Sequence, residues 1–326
     1  MVTAIEPLLR EQLIDRREKL ETAAGAFHRP AELTRLLEEV DAALHRMDLG
    51  TYGLCEVCHD PVESERLLAD PLTRFCLGDL TPREQRALEE DLELASQIQI
   101  GLLPPPTQKI DGWEVSYHYQ PAGAVSGDYC DLIRGDDQSL HFVLGDVSGK
   151  GVAASMLMAH LNAMFRTLIS INLPLEQMME RASRVFCEST LPTQYATLVC
   201  GRATTDGDVE ICNAGHLPPL LIQQGQITRI AATGLPVGVF CSESFSVNRV
   251  HMSKGDTLFL YTDGLSESLD GSGNEYGADR LSQLLYDNPA LSTDSMISLC
   301  RRELRTFAEG RSPRDDLTLM AIRRTH

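Results

Sequence analysis

Three consecutive prolines, Pro104, Pro105 and Pro106, constrain the fold more than any other feature of this 326-residue chain. Proline has no backbone N–H and a fixed φ, so a helix that reaches this run must end there. Upstream of the prolines, apolar residues recur at helical steps of three and four, whereas short apolar runs of β type follow them. The sequence therefore predicts a helical N-terminal part and a strand-rich C-terminal part.

The N-terminal part separates into three segments. Residues 5–24 and 31–47 have helical periodicity and predict an antiparallel hairpin, which we assign to residues 1–49. Residues 50–80 follow neither period and contain three cysteines, so we expect a small knuckle with a metal as its core. Residues 81–104 predict a linker helix with an apolar stripe, and because such a stripe usually seeks a partner, this helix is a candidate dimerisation or regulatory element, with a simple spacer as the alternative. The stripe consists of Leu88, Leu92, Ala95, Ile98 and Leu102.

The C-terminal part, residues 105–326, contains both strand and helix patterns. Strand patterns occur at residues 113–119, 140–147, 195–202, 209–213, 257–262 and 317–322. Helical patterns occur at residues 152–171, 174–190, 279–287 and 293–309. Because strands and helices do not alternate singly, we predict an α+β domain in which helices cover antiparallel sheets.

Charge and composition exclude some classes of function. A formal net charge of −18 repels nucleic-acid backbones and anionic lipids, so we expect neither as a partner. The sequence has no apolar run of about 18 residues, the length a spanning helix needs, and its start lacks the features of a signal peptide. We therefore expect a cytoplasmic protein with no membrane partner, in which the cysteines outside the knuckle are buried thiols. Those cysteines are Cys130, Cys187, Cys200, Cys212, Cys241 and Cys300.

Four aspartate-bearing turns adjoin predicted strands, at residues 126–128, 145–151, 261–264 and 314–318. A single Asp-Gly pair is more often a simple turn, but four such turns in one domain are more than that interpretation explains. Carboxylates brought together repel one another, and hard divalent cations remove that cost. Two such ions can activate a water and hold a phosphate oxygen, so hydrolysis of a phosphomonoester fits best.

Residues 98–324 resemble the phosphatase domain of the SpoIIE/RsbU-type branch of the PPM (PP2C-like) family. The resemblance extends over eight ordered motifs and more than 200 residues. The matching segments are residues 98–99 with 102–104, 121–129, 145–154, 196–197, 213–218, 234–238, 261–267 and 315–318.

The resemblance implies a PPM-type β-sandwich flanked by helices (αββα) and a site with two Mn²⁺ or Mg²⁺ ions. By the same resemblance Asp128, Asp146, Asp263 and Asp315 hold the ions, and the backbone carbonyl of Val147 adds an oxygen. Asp316 competes with Asp315, because one of this adjacent pair can serve only to orient the other.

Departures from the family pattern leave two roles open. Ser148 stands where eukaryotic-type relatives often carry a proton-donating histidine, so a water held by the cations is the default donor. No arginine matches the phosphate-clamping arginine of some relatives. His216 could be proposed as a base, but its place in a turn after a strand favours a structural role. The glycines of residues 145–151 do not have the spacing of a nucleotide-binding loop.

The cysteine knuckle has the spacing of a four-ligand zinc site. Cys55-x2-Cys58, 17 residues and Cys76-x2-Asp79 put an aspartate in the fourth position, and zinc accepts carboxylate oxygen. Neighbouring His59 is an alternative ligand, and a metal-free remnant is also possible. The segment resembles the zinc finger of DksA/TraR-type transcription factors, which usually carry a fourth cysteine.

The sequence therefore predicts a metal-dependent serine/threonine phosphatase. The resemblance implies a phosphorylated regulatory protein as substrate, an anti-anti-sigma factor of STAS type in partner switching. Two other classes compete with this interpretation: a catalytically silent module that binds a phosphoprotein, and a transcription regulator that contacts RNA polymerase through the knuckle.

Overall fold

The computed structural model describes residues 2–26, 31–79, 82–311 and 313–326. The chain forms two compact units, Met1–Leu94 and Ala95–His326. Each unit has its own apolar core.

The first unit is helical. It contains α1 (Val2–Ala26), α2 (Ala31–Asp48), α3 (Ser64–Ala69), a 3₁₀ turn (Leu77–Asp79) and most of α4 (Pro82–Leu102). Helices α1 and α2 pack side by side, and a 2.6 Å ion pair from Arg10 to Asp48 joins the start of the first to the end of the second. This is the antiparallel hairpin that the sequence predicts. Its core comes from the periodic positions Leu9, Leu13, Leu20, Val40, Leu44 and Met47.

The boundary between the units lies inside α4, about ten residues before the prolines. The last residues of this helix belong to the second unit because they pack there: Leu102 and Leu103 contact its core, and Gln99 is buried. Helical periodicity alone does not show that the end of this helix packs on the core of the second unit.

The second unit contains two antiparallel sheets and five helices among its described residues. The strands are β1 (Thr107–Ile110), β2 (Trp113–Gln120), β3 (Tyr129–Arg134), β4 (Leu140–Val147), β5 (Ala196–Ala203), β6 (Asp208–Ala214), β7 (Leu220–Gln223), β8 (Gln226–Arg229), β9 (Asn248–His251), β10 (Thr257–Tyr261) and β11 (Leu317–Arg324). The helices are α5 (Gly151–Ser170), α6 (Leu175–Ser189), α7 (Asp263–Ser266), α8 (Ala278–Tyr286) and α9 (Thr293–Phe307).

The two sheets pack face to face between two layers of helices. One sheet has the order β1-β2-β11-β10-β7-β8 and the other the order β3-β4-β5-β6-β9. Apolar side chains of both sheets, such as Phe142 and Leu260, form the central core. Helices α5 and α6 cover the outer face of the five-stranded sheet, and α8 and α9 cover that of the six-stranded sheet. The αββα prediction is confirmed.

The sequence did not reveal every strand, and β3 shows why. Its residues read Tyr-Cys-Asp-Leu-Ile-Arg, without apolar alternation and with a carboxylate in the middle. Asp131 is fully buried, and Arg166 of α5 reaches it with two hydrogen bonds of 2.8 Å. A buried charge is tolerated here because a bidentate partner from another element satisfies it. The short strands β1, β7, β8 and β9 carry too few residues for a periodic signal.

Two cysteines correct a prediction. Cys187 of α6 and Cys241 form a disulfide, with their Cα atoms 5.3 Å apart, instead of remaining thiols. The segment before Cys241 lies on α6 because Gly238 has no side chain to clash with Phe186. Cys241 itself is exposed. The other cysteines of this unit are buried thiols, as expected: Cys130, Cys200, Cys212 and Cys300.

Helix α5 is the one helix among the described residues that is long and apolar enough to cross a membrane by composition alone. Its apolar residues Met158, Leu161 and Phe165 are fully buried against α6 and the five-stranded sheet. The composition of α5 is thus accounted for by its place in the core.

Candidate metal centres

The predicted aspartates lie where strands of both sheets end. Asp128 directly precedes β3, and Asp146 is the penultimate residue of β4. Because Tyr129 pairs with Gly145, the antiparallel register sets these two aspartates side by side. Asp263 follows β10, and Asp315 precedes β11, the strand that pairs with β10. The chain reversals of two packed sheets therefore bring four distant carboxylates to one edge of the sandwich.

Asp128 joins the two sheets. Its Oδ2 accepts hydrogen bonds from the hydroxyls of Thr262 (3.0 Å) and Thr318 (2.5 Å), which flank the other sheet's aspartates. Its Oδ1 is buried and has no hydrogen-bond partner. A buried carboxylate oxygen without a partner is costly, and a bound cation would satisfy it. The aspartate motifs alone did not identify the two threonines, although Thr262 and Thr318 stand inside the 261–264 and 314–318 turns.

Asp316 has a different set of contacts. Its Oδ1 accepts from the backbone N–H of Ala122 (2.7 Å) and its Oδ2 from that of Gly127 (2.8 Å). Both oxygens are therefore used to hold the loop that carries Asp128. Gln99 supports the same loop, because its side-chain amide donates to the Ser126 carbonyl (2.7 Å) and accepts from the Ser126 N–H (2.9 Å).

Asp315 faces the cluster with a cation beside it. Its Oδ2 lies 2.9 Å from Nζ of Lys150, which also donates to the backbone oxygen of Arg314 (3.2 Å). Its Oδ1 accepts from the N–H of Asp316 (3.0 Å). Lys150 stands in the 145–151 turn, and sequence reasoning assigned it no role.

Two glycines allow the backbones to approach closely at this edge. A Cβ at Gly127 would lie 3.2 Å from the carbonyl oxygen of Val147 and 3.4 Å from Oδ1 of Asp146. A Cβ at Gly264 would lie 2.0 Å from the backbone oxygen of Asp316, which is sterically impossible without movement. The turn of Asp263 therefore requires glycine at position 264, and a side chain at position 127 would press on the Val147 carbonyl and on Asp146.

The carboxylates hold their protons unusually strongly. Removal from water raises the pKa of Asp128 and of Asp146 well above the ordinary value, and the neighbouring aspartates raise it further. The pKa of Asp263 rises to about 7, first through burial and then through Asp315. Burial also raises the pKa of Glu267, with Glu275 the next cause. A group of acids that resists ionisation in the absence of cations is suited to bind divalent cations.

The two side chains weighed as proton donors or bases have structural contacts. Ser148 accepts a hydrogen bond from the N–H of Tyr195 (3.0 Å), opposite β5. His216 Nε2 lies 3.1 Å from the backbone oxygen of Tyr261 and Nδ1 lies 2.9 Å from the hydroxyl of Thr197. Burial lowers the pKa of His216 to about 4, so the ring is neutral and bridges two strands. These contacts agree with the structural role expected for His216.

The cysteine knuckle of the first unit forms a second centre. Cys55, Cys58 and Cys76 have their sulfur atoms within 4.8 Å of one another, with Cys58 and Cys76 3.4 Å apart. Cys55 and Cys76 are buried and Cys58 is exposed. Three thiols that converge without forming a disulfide are typical of a tetrahedral zinc site.

The sequence offers two candidates for the fourth ligand of this centre, Asp79 and His59. The backbone of Asp79 ends the 3₁₀ turn that follows Cys76, but its side chain lies outside the described residues. His59, the alternative, is exposed and has a left-handed backbone with φ of 62°. The metal-ligand set whose donor atoms lie within 4.8 Å contains the three cysteines and not His59, among the residues that the structure describes.

The αββα sandwich with an acidic pocket at one edge defines the phosphatase domain class of PP2C-like (PPM) proteins. The sequence profile of the family Stage II sporulation protein E (SpoIIE) matches residues 136–325, more than half of the chain. The chain belongs to this family. The profile of the prokaryotic dksA/traR C4-type zinc finger matches residues 50–78, the cysteine knuckle.

Individual relatives agree with the family. Protein IcfG of Synechocystis sp. is 26% identical over 263 residues, 72% of this chain and 41% of that protein. Phosphoserine phosphatase RsbU of Bacillus subtilis is 24% identical over 243 residues, 74% of this chain and 72% of RsbU. The chain thus spans less than half the length of IcfG.

A solved structure of similar fold comes from Mycobacterium tuberculosis. The RsbU and RsbW domains of Rv1364c superpose with a TM-score of 0.58 at 27% identity, over 68% of this chain and 62% of that one. In this chain the segment that matches the zinc-finger profile precedes the segment that matches the SpoIIE profile.

Proposed function

We propose that this protein is a Mn²⁺- or Mg²⁺-dependent phosphatase that hydrolyses phosphoserine or phosphothreonine on a regulatory protein. The observation that carries this proposal is the buried, partnerless Oδ1 of Asp128 inside a group of carboxylates with raised pKa values. Membership in the SpoIIE family supports the same reaction. When bound, a pair of divalent cations would acidify a water and neutralise charge on the phosphoryl group.

Asp128, Asp146, Asp263 and Asp315 are the proposed ligands, with the carbonyl oxygen of Val147. Asp315 is preferred over its neighbour because both oxygens of Asp316 hold backbone N–H groups of the Asp128 loop, whereas Oδ2 of Asp315 bonds a partly exposed lysine that a cation can replace. The proposed role of Asp316 is to hold the loop of Asp128 in place.

The surrounding residues orient these ligands. The hydroxyls of Thr262 and Thr318 hold Oδ2 of Asp128, so that Oδ1 remains for the cation. Fixing a ligand through a second hydrogen-bond partner strengthens a metal site, and its loss commonly costs about 10- to 100-fold in affinity or activity. Gly264 lets the Asp263 turn lie against the backbone of Asp316.

The test of the proposed reaction is substitution of a ligand without loss of fold. Asp146→Asn and Asp263→Asn should each reduce turnover of p-nitrophenyl phosphate with Mn²⁺ by about a hundredfold or more, since a cation contributes several kcal/mol to this chemistry. Asp206→Asn, at an exposed turn, is the matched control. Full activity in both ligand variants would refute the assignment, and an inactive wild-type protein would favour the silent phosphoprotein-binding module.

The substrate class is a proposal of its own. Phosphoserine phosphatase RsbU is a relative over most of its length, and this supports a small STAS-type anti-anti-sigma protein as the phosphorylated partner. Dephosphorylation of a phosphorylated STAS domain should be at least about tenfold more efficient than that of an unrelated phosphoprotein, a preference of roughly 1.4 kcal/mol. Equal rates on both would remove the STAS assignment.

For the N-terminal part we propose a helical hairpin (1–49), a zinc knuckle (50–80) with Asp79 as fourth ligand, and a linker helix (81–104) before the phosphatase domain (105–326). The converging thiols and the zinc-finger profile support one structural Zn²⁺. Co-purification with RNA polymerase, if observed, would support the transcription-regulator alternative instead.

We propose that the linker helix is the contact between two copies of the chain. We also propose that the protein is cytoplasmic. Of the predicted stripe, Leu88 and Ile98 are 40% and 59% exposed on α4, and Leu94, which lies outside that stripe and one turn before Ile98, is 56% exposed. An exposed apolar stripe of this kind favours pairing with a second copy. Sedimentation should give a dimer for the wild type and a monomer for Leu94→Asp, and an unchanged mass would contradict the proposal.

A further inference from the structure

Lys150 is a cation in the acidic pocket to which the reaction described above assigns no task. Its ammonium lies 2.9 Å from Oδ2 of Asp315, and its positive charge also acts on Asp146, Asp263 and Glu267. The contact joins residues 165 positions apart in sequence. Lys150 therefore ties the turn after β4 to the turn before β11.

The local backbone gives this side chain freedom to move. Gly149 and Gly151 flank it with φ of 101° and 72°, and a Cβ at either glycine would have no atom within 4 Å. The side chain of Lys150 is 32% exposed, and its Nζ contacts are Asp315 and the backbone oxygen of Arg314. A flexible four-carbon stem on an open turn can carry the ammonium from one anion to another without moving the sheet.

Cation binding at Asp315 would weaken the ion pair between Asp315 and Lys150. A carboxylate that ligates a divalent cation has less charge for an ammonium, and the cation repels the ammonium directly. The displaced ammonium is then available to pair with another anion. The anion that arrives in this pocket is the dianionic phosphoryl group of the substrate, and Lys is a common point-charge partner of phosphate.

We propose that Lys150 is a phosphate-binding residue that Asp315 holds in reserve until a cation takes its place. The proposal rests on the proposed phosphatase function and fills the role for which no arginine is available by sequence match. In the cation-free protein, Lys150 offsets part of the repulsion among the carboxylates. In the loaded protein, it orients the phosphoryl group toward the pocket.

The experiment uses Lys150→Met, which keeps the length of the stem and removes the charge, and Lys150→Arg, which keeps the charge. Lys254→Met, at an exposed turn, is the matched control. Circular dichroism verifies that each variant is folded. Calorimetry measures the affinity of MnCl₂ for the cation-free full-length chain and then that of inorganic phosphate for the Mn²⁺-loaded chain, so neither reading depends on turnover.

Two changes of opposite sign are expected for Lys150→Met. Mn²⁺ should bind more tightly by about threefold to tenfold, because it no longer displaces an ammonium from Asp315. Inorganic phosphate should bind about tenfold more weakly, the loss of one charge-assisted hydrogen bond. Lys150→Arg should recover most of the phosphate affinity, and KM for a phosphoprotein should rise more than kcat falls.

Outcomes that overturn the proposal are equally distinct. Weaker Mn²⁺ binding in Lys150→Met would make Lys150 a support of the ligands, and unchanged phosphate binding would remove it from the substrate site. A wild-type chain that binds Mn²⁺ and phosphate but hydrolyses no phosphomonoester would refute the phosphatase function, while the two binding shifts would still decide the role of Lys150. If Lys150→Met does not fold, Lys150→Gln removes the charge in its place, and the same two shifts in Mn²⁺ and phosphate affinity decide the proposal.

Discussion

The two candidate metal sites of this chain are assembled in opposite ways. The thiols of the knuckle come from one short segment, Cys55 to Cys76, and their sulfur atoms lie within 4.8 Å of one another. The aspartates come from four turns spread over 188 positions, from Asp128 to Asp316, and no three of their carboxylates come that close among the described residues. The three thiols share one short knuckle, whereas each aspartate stands at a different strand end or turn of the two sheets, so the sheets set the spacing of the carboxylates.

The two sites should therefore differ in how much a bound metal contributes to the stability of the fold. The knuckle has one short helix and a 3₁₀ turn around its cysteines, so we expect its structure to depend on a bound metal. The aspartate turns are held by two sheets and by hydrogen bonds such as those of Asp316 and Gln99. We therefore expect metal removal to unfold the first centre and only to inactivate the second.

The largest expected effect is that of zinc removal. A zinc chelator, or Cys58→Ser, should abolish zinc binding and expose the amides of residues 50–78 to hydrogen exchange, while residues 95–326 keep their protection. The reason is that structural zinc contributes roughly 10 kcal/mol to folding of such segments. Hydrogen exchange read by mass spectrometry is the measurement, with Cys300→Ser as a cysteine control in the second unit. An equal loss of hydrogen-exchange protection in both units would contradict the expected difference between the two sites.

The cysteines of the second unit extend the comparison between the two units, because two of them, Cys187 and Cys241, are joined by a disulfide. Reduction, or Cys187→Ser, should lower the stability of the second unit by about 4 kcal/mol, because the bond closes a loop of 54 residues. For a unit of this size the loss corresponds to a Tm decrease of roughly 8 °C. Scanning calorimetry with and without dithiothreitol measures it. A Tm that does not respond to reductant would mean that the two thiols are not bonded in solution.

The stability of the second unit should also depend on pH. Burial lowers the pKa of His141 to about 4, with Arg202 as the next cause, against about 6.5 in the unfolded chain. The unfolded state binds the proton more readily, so stability from this group is present above pH 6.5 and is lost as the pH falls toward 4. The loss amounts to about 3 kcal/mol.

Urea unfolding at pH 7 and pH 4.5 would reveal this term as a difference between variants. His141→Gln should lose less stability on acidification than the wild type, whereas His251→Gln, at an exposed position, should behave as the wild type does. Identical pH profiles for His141→Gln and the wild type would contradict the assignment to His141.

The smallest effect should distinguish the two adjacent aspartates. Asp316→Asn should cost about 2 kcal/mol, because its amide group would face a backbone N–H that now donates to a carboxylate oxygen. Asp315→Asn should leave stability almost unchanged and weaken Mn²⁺ binding instead. Unfolding curves and Mn²⁺ titrations of both variants make the test. A reversed pattern would identify Asp316 as the ligand and Asp315 as the support.

Sequence reasoning reached much of the fold because the informative segments are long. The hairpin positions Leu9, Leu13, Val40 and Leu44 are all buried, and β2, β4 and β11 lie within a residue or two of their predicted bounds. It missed β3, whose buried Asp131 breaks the strand pattern and is satisfied only by Arg166 of α5. It also missed the disulfide, because no spacing rule links Cys187 to Cys241.

What the sequence by itself determined is therefore local or carried by motifs: the helical hairpin, the three clustered cysteines, the family and the set of candidate aspartates. Tertiary structure alone decided which oxygen of Asp128 lacks a partner, that Asp316 holds a loop while Asp315 faces a lysine, and where the helical linker joins the second unit. Periodicity and turn chemistry are written in neighbouring residues. Hydrogen bonds between turns more than 100 positions apart exist only once two sheets have packed.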